Sequence, residues 1–227
     1  MIRVTENFRK IQDLLAKAAA DAGRSADQIR LLAVTKKKPA EAVIEAYSAG
    51  QRDFGENFVQ EGLDKIAAVD REDAVWHFIG HLQSNKTKAV SEHFQWVHTI
   101  DRLKIARRLS AQRPHYAADL NVCIEVNIDA EDNKSGVAAN EVGDLALAVA
   151  ALPRLKLRGL MCLPAIRDDF DEQRQPFARL RALMNALNQS GMQMDTLSMG
   201  MTADYAAAIR EGATIVRIGT ALFGARE

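Results

Sequence analysis

The sequence predicts an α/β protein, a single (β/α)8 TIM barrel that is preceded by an extra N-terminal helix. Eight short apolar runs alternate with segments of helical periodicity, and no long structureless linker interrupts them. The first run, residues 31–34, is continuously apolar, which is typical of parallel strands buried on both faces. The turn after it reads Lys-Lys-Lys-Pro, whereas a doubly wound sheet commonly has a glycine-rich turn there. We therefore expect one barrel domain over residues 1–227 and not an open sheet.

Each element follows from the spacing of apolar residues and from the turn residues that bound it. Apolar positions recur at helical spacing from Val4 towards Gly23 and predict the leading helix. The predicted strands, in chain order, are residues 31–36, 52–54, 75–79, 95–100, 120–128, 155–163, 196–198 and 213–218. The predicted helices between them cover residues 40–48, 58–67, 84–92, 101–109, 141–152, 177–187 and 203–211.

Composition and charge narrow the classes of function. Thirty basic and thirty acidic residues cancel, and no block of like charge is longer than three lysines, which argues against nucleic acid or membrane as a partner. The N-terminus is charged and amphipathic, unlike a signal peptide, so we expect a cytoplasmic protein. Cys123 and Cys162 lie in apolar runs and are expected to be reduced core residues. We expect no metal site.

Lys36 is the first candidate for chemistry, because a buried strand runs directly into the three lysines at residues 36–38. The active site of a (β/α)8 barrel lies at the carboxyl ends of its strands. A lysine that is partly desolvated there can act as a nucleophile towards carbonyl groups and form a Schiff base. The alternative is that all three lysines are solvated at an ordinary strand end.

The connections after the last two strands have the composition of a phosphate site. In such barrels phosphate is commonly held by the loops after strands seven and eight. Here these loops are residues 198–202, with the sequence Ser-Met-Gly-Met-Thr, and Gly219-Thr220. Both combine small residues, hydroxyl donors and the start of a helix, as anion binding requires. The alternative is a pair of ordinary capped turns.

Arg217 lies within the eighth predicted strand, where a charged side chain is seldom buried unless it is paired. It could simply pair with a structural carboxylate, or it could hydrogen-bond the ring nitrogen of a bound pyridine. A lysine on strand one, a phosphate site after strands seven and eight, and a cation on strand eight together suit pyridoxal 5′-phosphate (PLP). This molecule is an aldehyde with a phosphate on its far side.

Several motifs also resemble those of a known family. These are LLAVTKKKP, FGENFVQE, WHFIGHLQSNK, HTIDR, VNIDAEDNKSG, LRGLMCLP, LSMGMTADYAAAI and VRIGTALFGAR. Together they resemble the pyridoxal phosphate homeostasis protein family over essentially the whole chain. The resemblance implies a fold similar to the barrel domain of bacterial alanine racemase, that is, PLP fold type III. The chain departs from the common pattern at Thr35, where serine is frequent, and at His81, where many bacterial members have proline.

The resemblance also implies a role for particular residues. It implies that the cofactor is carried on Lys36 as a Schiff base, and that Arg217 contacts the pyridine nitrogen. Asn57 and His77 take ring-side positions, and Lys38 and Lys134 match lysines that handle cofactor. The phosphate contacts implied by the motifs come from Ser198, Gly200, Met201, Gly219 and Thr220.

Three functions are compatible with these residues. The first, which we favour, is a PLP carrier that holds, buffers and delivers the cofactor to transient client enzymes and so affects amino-acid and keto-acid pools. The resemblance implies this regulatory role without established catalytic activity. The second is a PLP-dependent enzyme similar to an amino-acid racemase. The third is a Schiff-base aldolase that binds a sugar phosphate directly.

Two features favour the carrier over the racemase. Alanine racemase takes its second base, a tyrosine, from an additional domain of the partner subunit. This sequence ends soon after the eighth predicted strand, so we expect no such domain and a monomer.

An arginine at the pyridine nitrogen cannot accept a proton, so the ring should stay unprotonated and withdraw electrons less strongly. This weakens carbanion chemistry without forbidding it.

Overall fold

Over the residues that the computed structural model describes, 4–131 and 134–224, eight parallel strands close into a barrel. The barrel strands are β1 (Arg30–Val34), β2 (Asp53–Glu56), β3 (Val75–Phe78), β4 (Trp96–Ile100), β5 (Leu120–Asn127), β7 (Leu155–Cys162), β8 (Thr196–Met201) and β9 (Ile215–Ile218). Strand β1 pairs with β9 through Leu32 and Arg217, and β4 pairs with β5, so the ring has no open edge. The predicted fold class is confirmed.

One short strand was not predicted. Strand β6 (Val137–Ala138) pairs in parallel with the carboxyl end of β5 and lies between the predicted strand 120–128 and the predicted helix 141–152. Its two residues are too few to show an alternating pattern. The pairing therefore could not be seen in the sequence.

The helices surround the barrel as predicted. The leading helix α1 packs against α2, α8 and α9, and buries Phe8, Ile11 and Leu15. The helices are α1 (Val4–Asp21), α2 (Ala40–Ser48), α3 (Val59–Val69), α4 (Thr87–His93), α5 (Leu103–Gln112), α6 (Val142–Ala150), α7 (Phe170–Gln189), α8 (Tyr205–Arg210) and α9 (Thr220–Phe223), with a 3-10 turn at Ala26–Gln28. Among these described helices, none is both long and apolar enough to cross a bilayer.

Apolar side chains form two layers because successive residues of a strand point to opposite faces. The larger layer lies between the barrel and its helices. The smaller layer fills the barrel interior with Leu32, Trp96, Cys123, Met161 and Ile215. Burial raises the pKa of the Cys123 and Cys162 thiols to about 12, so both remain protonated core residues, as predicted.

Candidate functional site

A cavity of about 300 Å³ opens at the carboxyl ends of the barrel strands. Its wall contains six of the residues singled out in the sequence: Lys36, Asn57, Met201, Arg217, Gly219 and Thr220. The structure thus brings the lysine after β1, the arginine of β9 and the turn after β9 to one cavity. Thr202, the last residue of the predicted phosphate loop 198–202, follows β8 on the same wall and adds a second hydroxyl group.

The turn after β9 lies close to the end of β1. A Cβ atom added at Gly219 would lie 3.3 Å from the carbonyl oxygen of Val34, closer than most such contacts. Glycine therefore lets the two strand ends approach, and Lys36 is only two residues beyond Val34. The segment that carries the lysine and the predicted phosphate turn are held side by side by this contact.

A buried lysine, Lys65 of α3, holds the backbone around the cavity lysine. Its Nζ atom donates to the carbonyl oxygen of Thr35 at 2.6 Å and pairs with Glu56 at 2.6 Å and Glu61 at 2.7 Å. Glu56 also accepts the Thr35 hydroxyl, and Glu61 accepts the backbone N–H of Lys37. Burial raises the pKa of Glu56, and the Lys65 ammonium opposes that shift. The chain is thus fixed on both sides of residue 36.

Arg217 is buried in the cavity wall with its guanidinium held by two neighbouring strands. One terminal nitrogen donates to the backbone oxygen of Ser198 at 2.7 Å and to its hydroxyl at 2.8 Å, and the other donates to the carbonyl oxygen of Cys162 at 2.9 Å. Burial lowers the pKa of Arg217, although arginine stays charged in proteins. These bonds use three of the five N–H groups, and the other two have no partner among the described residues.

Three predicted contact residues lie behind the wall and not on it. The Ser198 hydroxyl is fully buried between Arg217 and His98. His77 is fully buried as well, with its ring nitrogens 2.9 Å from Asp53 and 2.9 Å from His98. At Gly200, φ is +91° and a Cβ atom would lie 2.5 Å from the Cβ of Ala208 in α8. Their direct contact with a cofactor therefore stays a prediction.

Residues 198–202 were predicted as a loop, but β8 continues to Met201. The backbone N–H of Met201 donates to the Asp204 carboxylate at 2.6 Å, while its side chain lies on the cavity wall. The predicted phosphate contact of Met201 is not tested by this geometry. The turn residues beyond it, Thr202 and Ala203, also line the cavity.

The two lysines predicted to handle cofactor lie near the cavity without lining it. Lys38 is half-buried in the turn after β1, and its backbone N–H donates to Thr35 at 3.0 Å. Lys134 pairs with Glu131 at 2.6 Å and donates to the carbonyl oxygen of Leu163, a wall residue, at 3.3 Å. Lys134 is thus at the rim, where a role in cofactor handling stays a prediction.

Comparison with known proteins identifies the family. The family described as alanine racemase, N-terminal domain, matches residues 4–227. The pyridoxal phosphate homeostasis protein of Pseudomonas aeruginosa is 54% identical over 227 residues, which cover 100% of this chain and 97% of the relative. The chain belongs to the pyridoxal phosphate homeostasis protein family. The resemblance carried by the sequence motifs is confirmed.

Solved structures agree with this membership. PipY of Synechococcus elongatus PCC7942, solved with PLP bound, is 35% identical with a TM-score of 0.80, covering 92% of this chain and 100% of that chain. Alanine racemase of Corynebacterium glutamicum has a TM-score of 0.74 over 98% of this chain and 60% of its own, at 16% identity. The racemase comparison shows a shared fold alone.

The sequence of this homeostasis-family member did not reveal every residue that shapes the site. Glu61 and Lys65 stand four residues apart on a predicted helix, which is a signal for an ion pair, but the burial of Lys65 beside Thr35 is a tertiary effect. Glu125 interrupts an apolar strand, and this was the available signal for an interior carboxyl group. The pKa of the Glu125 carboxyl group is raised to about 7; burial is the main cause and the nearby Asp101 adds to it, whereas Arg217 opposes the shift.

Proposed function

We propose that this protein binds pyridoxal 5′-phosphate in the cavity at the carboxyl ends of the barrel strands, with the cofactor attached to Lys36. We further propose that it serves as a PLP carrier in cofactor homeostasis. The observation that carries the proposal is the meeting of Lys36, Arg217 and the Gly219–Thr220 turn on one cavity of about 300 Å³. This volume is within the range of cavities that hold small molecules and cofactors. The family membership and the PLP-bound PipY structure give independent support.

The residues on the wall fit the chemical groups of PLP. An amine is needed for the aldehyde, a donor or acceptor for the ring nitrogen, and hydroxyl and backbone groups for the phosphate. Lys36 supplies the amine, Arg217 has two N–H groups without a described partner, and Thr220 and Thr202 supply hydroxyls. The side-chain oxygen of Asn57 is buried on this wall without a hydrogen-bond partner, as expected for a group that meets a ligand.

The composition of the wall supports a carrier and not a catalyst. PLP supplies an electron sink, but racemisation also needs proton acceptors on both faces of the substrate. Among the described wall residues, the only titratable side chains are Lys36 and Arg217. Since Arg217 can only donate, it leaves a facing ring nitrogen unprotonated and the sink weak. The function we infer is therefore to hold and release cofactor, without turnover of amino acids.

Delivery to client enzymes belongs to the same proposal. Two apolar side chains of the wall form an exposed rim of the cavity, with exposed fractions of 38% for Leu163 and 36% for Met201. Such a rim suits brief contact with a PLP-dependent enzyme that accepts the cofactor. We propose that the protein acts as a cytoplasmic monomer in these encounters. Size-exclusion chromatography with light scattering tests the monomer directly.

The test of the carrier function is spectroscopic. The purified protein with PLP should show a visible absorption band that borohydride removes, and peptide mapping should then locate the reduced cofactor on Lys36. Lys36→Ala should lose the band and keep its fold, whereas the matched variant Lys37→Ala should keep both. Reduced cofactor on Lys37 or Lys38 would overturn the assignment to Lys36. If the protein racemised amino acids and Lys36→Ala abolished that activity, the carrier function would be wrong and the racemase-like enzyme would be correct.

A further inference from the structure

A chain of four hydrogen bonds crosses the barrel interior from the cavity wall to the opposite end. Arg217 lies 2.8 Å from the Ser198 hydroxyl, which lies 2.8 Å from Nδ1 of His98. Nε2 of His98 is 2.9 Å from Nδ1 of His77, and Nε2 of His77 is 2.9 Å from Asp53. Asp53 is the first residue of β2, so the chain ends at the amino ends of the strands, far from the cavity.

The two ends of the chain fix the direction of every bond in it. Arg217 can only donate and the Asp53 carboxylate can only accept. Ser198, His98 and His77 are fully buried, and burial lowers the pKa of His77 and lowers that of His98 well below its ordinary value. Both imidazoles are therefore neutral, and each has one N–H group to donate.

Only one arrangement of protons then satisfies all four contacts. His77 donates Nε2–H to Asp53 and accepts at Nδ1 from Nε2–H of His98. His98 accepts at Nδ1 from the Ser198 hydroxyl, and the hydroxyl oxygen accepts from Arg217. If the direction were reversed, an unprotonated His77 nitrogen would face a carboxylate, and the buried Ser198 hydrogen would lose its acceptor.

We propose that Asp53 is a positioning residue for Arg217, acting through the oriented chain His77, His98 and Ser198. The proposal rests on the proposed function, in which Arg217 faces the cofactor ring. Asp53 sets the histidine tautomers and so turns the Ser198 hydroxyl towards His98. The lone pairs of that oxygen then hold one edge of the guanidinium, which keeps its other N–H groups available at the cavity wall. A carboxylate at one end of the barrel thereby stabilises the binding geometry at the other.

The chain offers a matched control for a purely structural role. Asp195 lies at the same end of the barrel, as the residue before β8, and pairs with Arg158 at 2.8 Å. Its described hydrogen bonds go to Arg158 and Thr196 and do not lead to Arg217. Asp53 also pairs with Arg30 at 3.3 Å, so Arg30→Gln controls for loss of that contact.

The experiment compares Asp53→Asn, Asp195→Asn and Arg30→Gln in the full chain. Histidine ¹⁵N spectra of the protein without cofactor should show wild-type His77 and His98 as neutral, Nε2-protonated imidazoles. Asp53→Asn should populate the other tautomer and weaken PLP binding about fivefold, equivalent to ~1 kcal/mol. Both controls should bind PLP within about twofold of wild type, a difference below ~0.5 kcal/mol. Thermal unfolding verifies that all three variants are folded.

The outcomes separate this proposal from the proposed function. Wild-type PLP affinity in folded Asp53→Asn, or a charged or Nδ1-protonated His77 or His98 in the wild type, would overturn the positioning role. Equal loss of affinity in Asp195→Asn would also overturn it, because a general disturbance of this barrel end would then suffice. Failure of the wild type to attach PLP to Lys36 would instead refute the carrier function, and the ¹⁵N spectra would still test the orientation of the chain.

Discussion

The amino group of Lys65 lies 2.6 Å from the carbonyl oxygen of Thr35, the residue that precedes the cavity lysine. Lys65 is 4% exposed, and the same amino group pairs with Glu56 and Glu61. A buried ammonium is costly unless it is fully bonded, so this cluster ties the segment after β1 firmly to α3. Lys36 therefore extends from a backbone that is already fixed before any ligand binds.

Loss of this amino group should weaken both the fold and the attachment of PLP. In Lys65→Met, Glu56 loses its charged partner, and we expect the free energy of unfolding to fall by about 3 kcal/mol. The rate of PLP attachment to Lys36 should fall about tenfold, because the segment is no longer held in place. Urea denaturation and the growth of the visible absorption band measure the two effects.

Two variants control for the Lys65 prediction. Lys88→Met removes an exposed ion pair with Glu92 and should cost less than about 0.5 kcal/mol. Adding Glu56→Gln to Lys65→Met should restore part of the lost stability, because no buried carboxylate is then left unpaired. Wild-type attachment kinetics in folded Lys65→Met would show that the cluster stabilises the fold without positioning the lysine.

Thr220 and Ser198 should respond differently to loss of their hydroxyl groups. Thr220 is exposed on the cavity wall, so Thr220→Ala should weaken PLP binding about fivefold and leave the unfolding temperature almost unchanged. Ser198 is fully buried between two polar partners, so Ser198→Ala should also cost about 1–3 kcal/mol of stability. Titration with PLP and thermal unfolding of both variants provide the comparison. A stability loss in Thr220→Ala as large as in Ser198→Ala would contradict this assignment.

The sequence was sufficient to predict the barrel and the polar residues on the wall of the cavity. It was not sufficient to predict the contacts between buried polar groups behind that wall. Strand order follows from the regular alternation of elements, and Lys36, Arg217 and Gly219 follow from their positions at or near strand ends. The partners of buried polar groups depend on which strands become neighbours around the ring. Nothing in the local sequence indicates that His98 of β4 meets Ser198 of β8 across the barrel. Tertiary contacts of this kind become visible only when the barrel closes.

Glu125 should make the stability of the cofactor-free protein depend on pH. Burial raises the pKa of its carboxyl group to about 7, above the ordinary value of 4.5, so the folded state favours the protonated form. The stabilisation from this proton is complete below about pH 4.5 and is lost as the pH rises through about 7. Glu125→Gln should therefore be more stable than wild type by about 3 kcal/mol at pH 8, with a difference that disappears near pH 4.5.

Urea denaturation between pH 4.5 and 8 tests the role of Glu125. The exposed residue Glu72 provides the matched control, and Glu72→Gln should follow the wild-type profile throughout. An unchanged profile in Glu125→Gln would mean that this carboxyl group is ionised in the folded protein at neutral pH. A difference that grew towards acid pH would reverse the sign and contradict the prediction outright.

Gly200 should be required for packing behind the cavity and not only for its backbone conformation. Both Gly200 and Gly191 have positive φ, at +91° and +106°, so alanine at either position should cost about 1 kcal/mol. At Gly191 no atom lies within 4 Å of the added Cβ, whereas at Gly200 it would meet the Cβ of Ala208 at 2.5 Å. Gly200→Ala should therefore lose a further ~1–3 kcal/mol and weaken PLP retention, because α8 must move away from β8. Equal stability losses in the two variants, measured by urea denaturation, would show that the strand and helix adjust without cost.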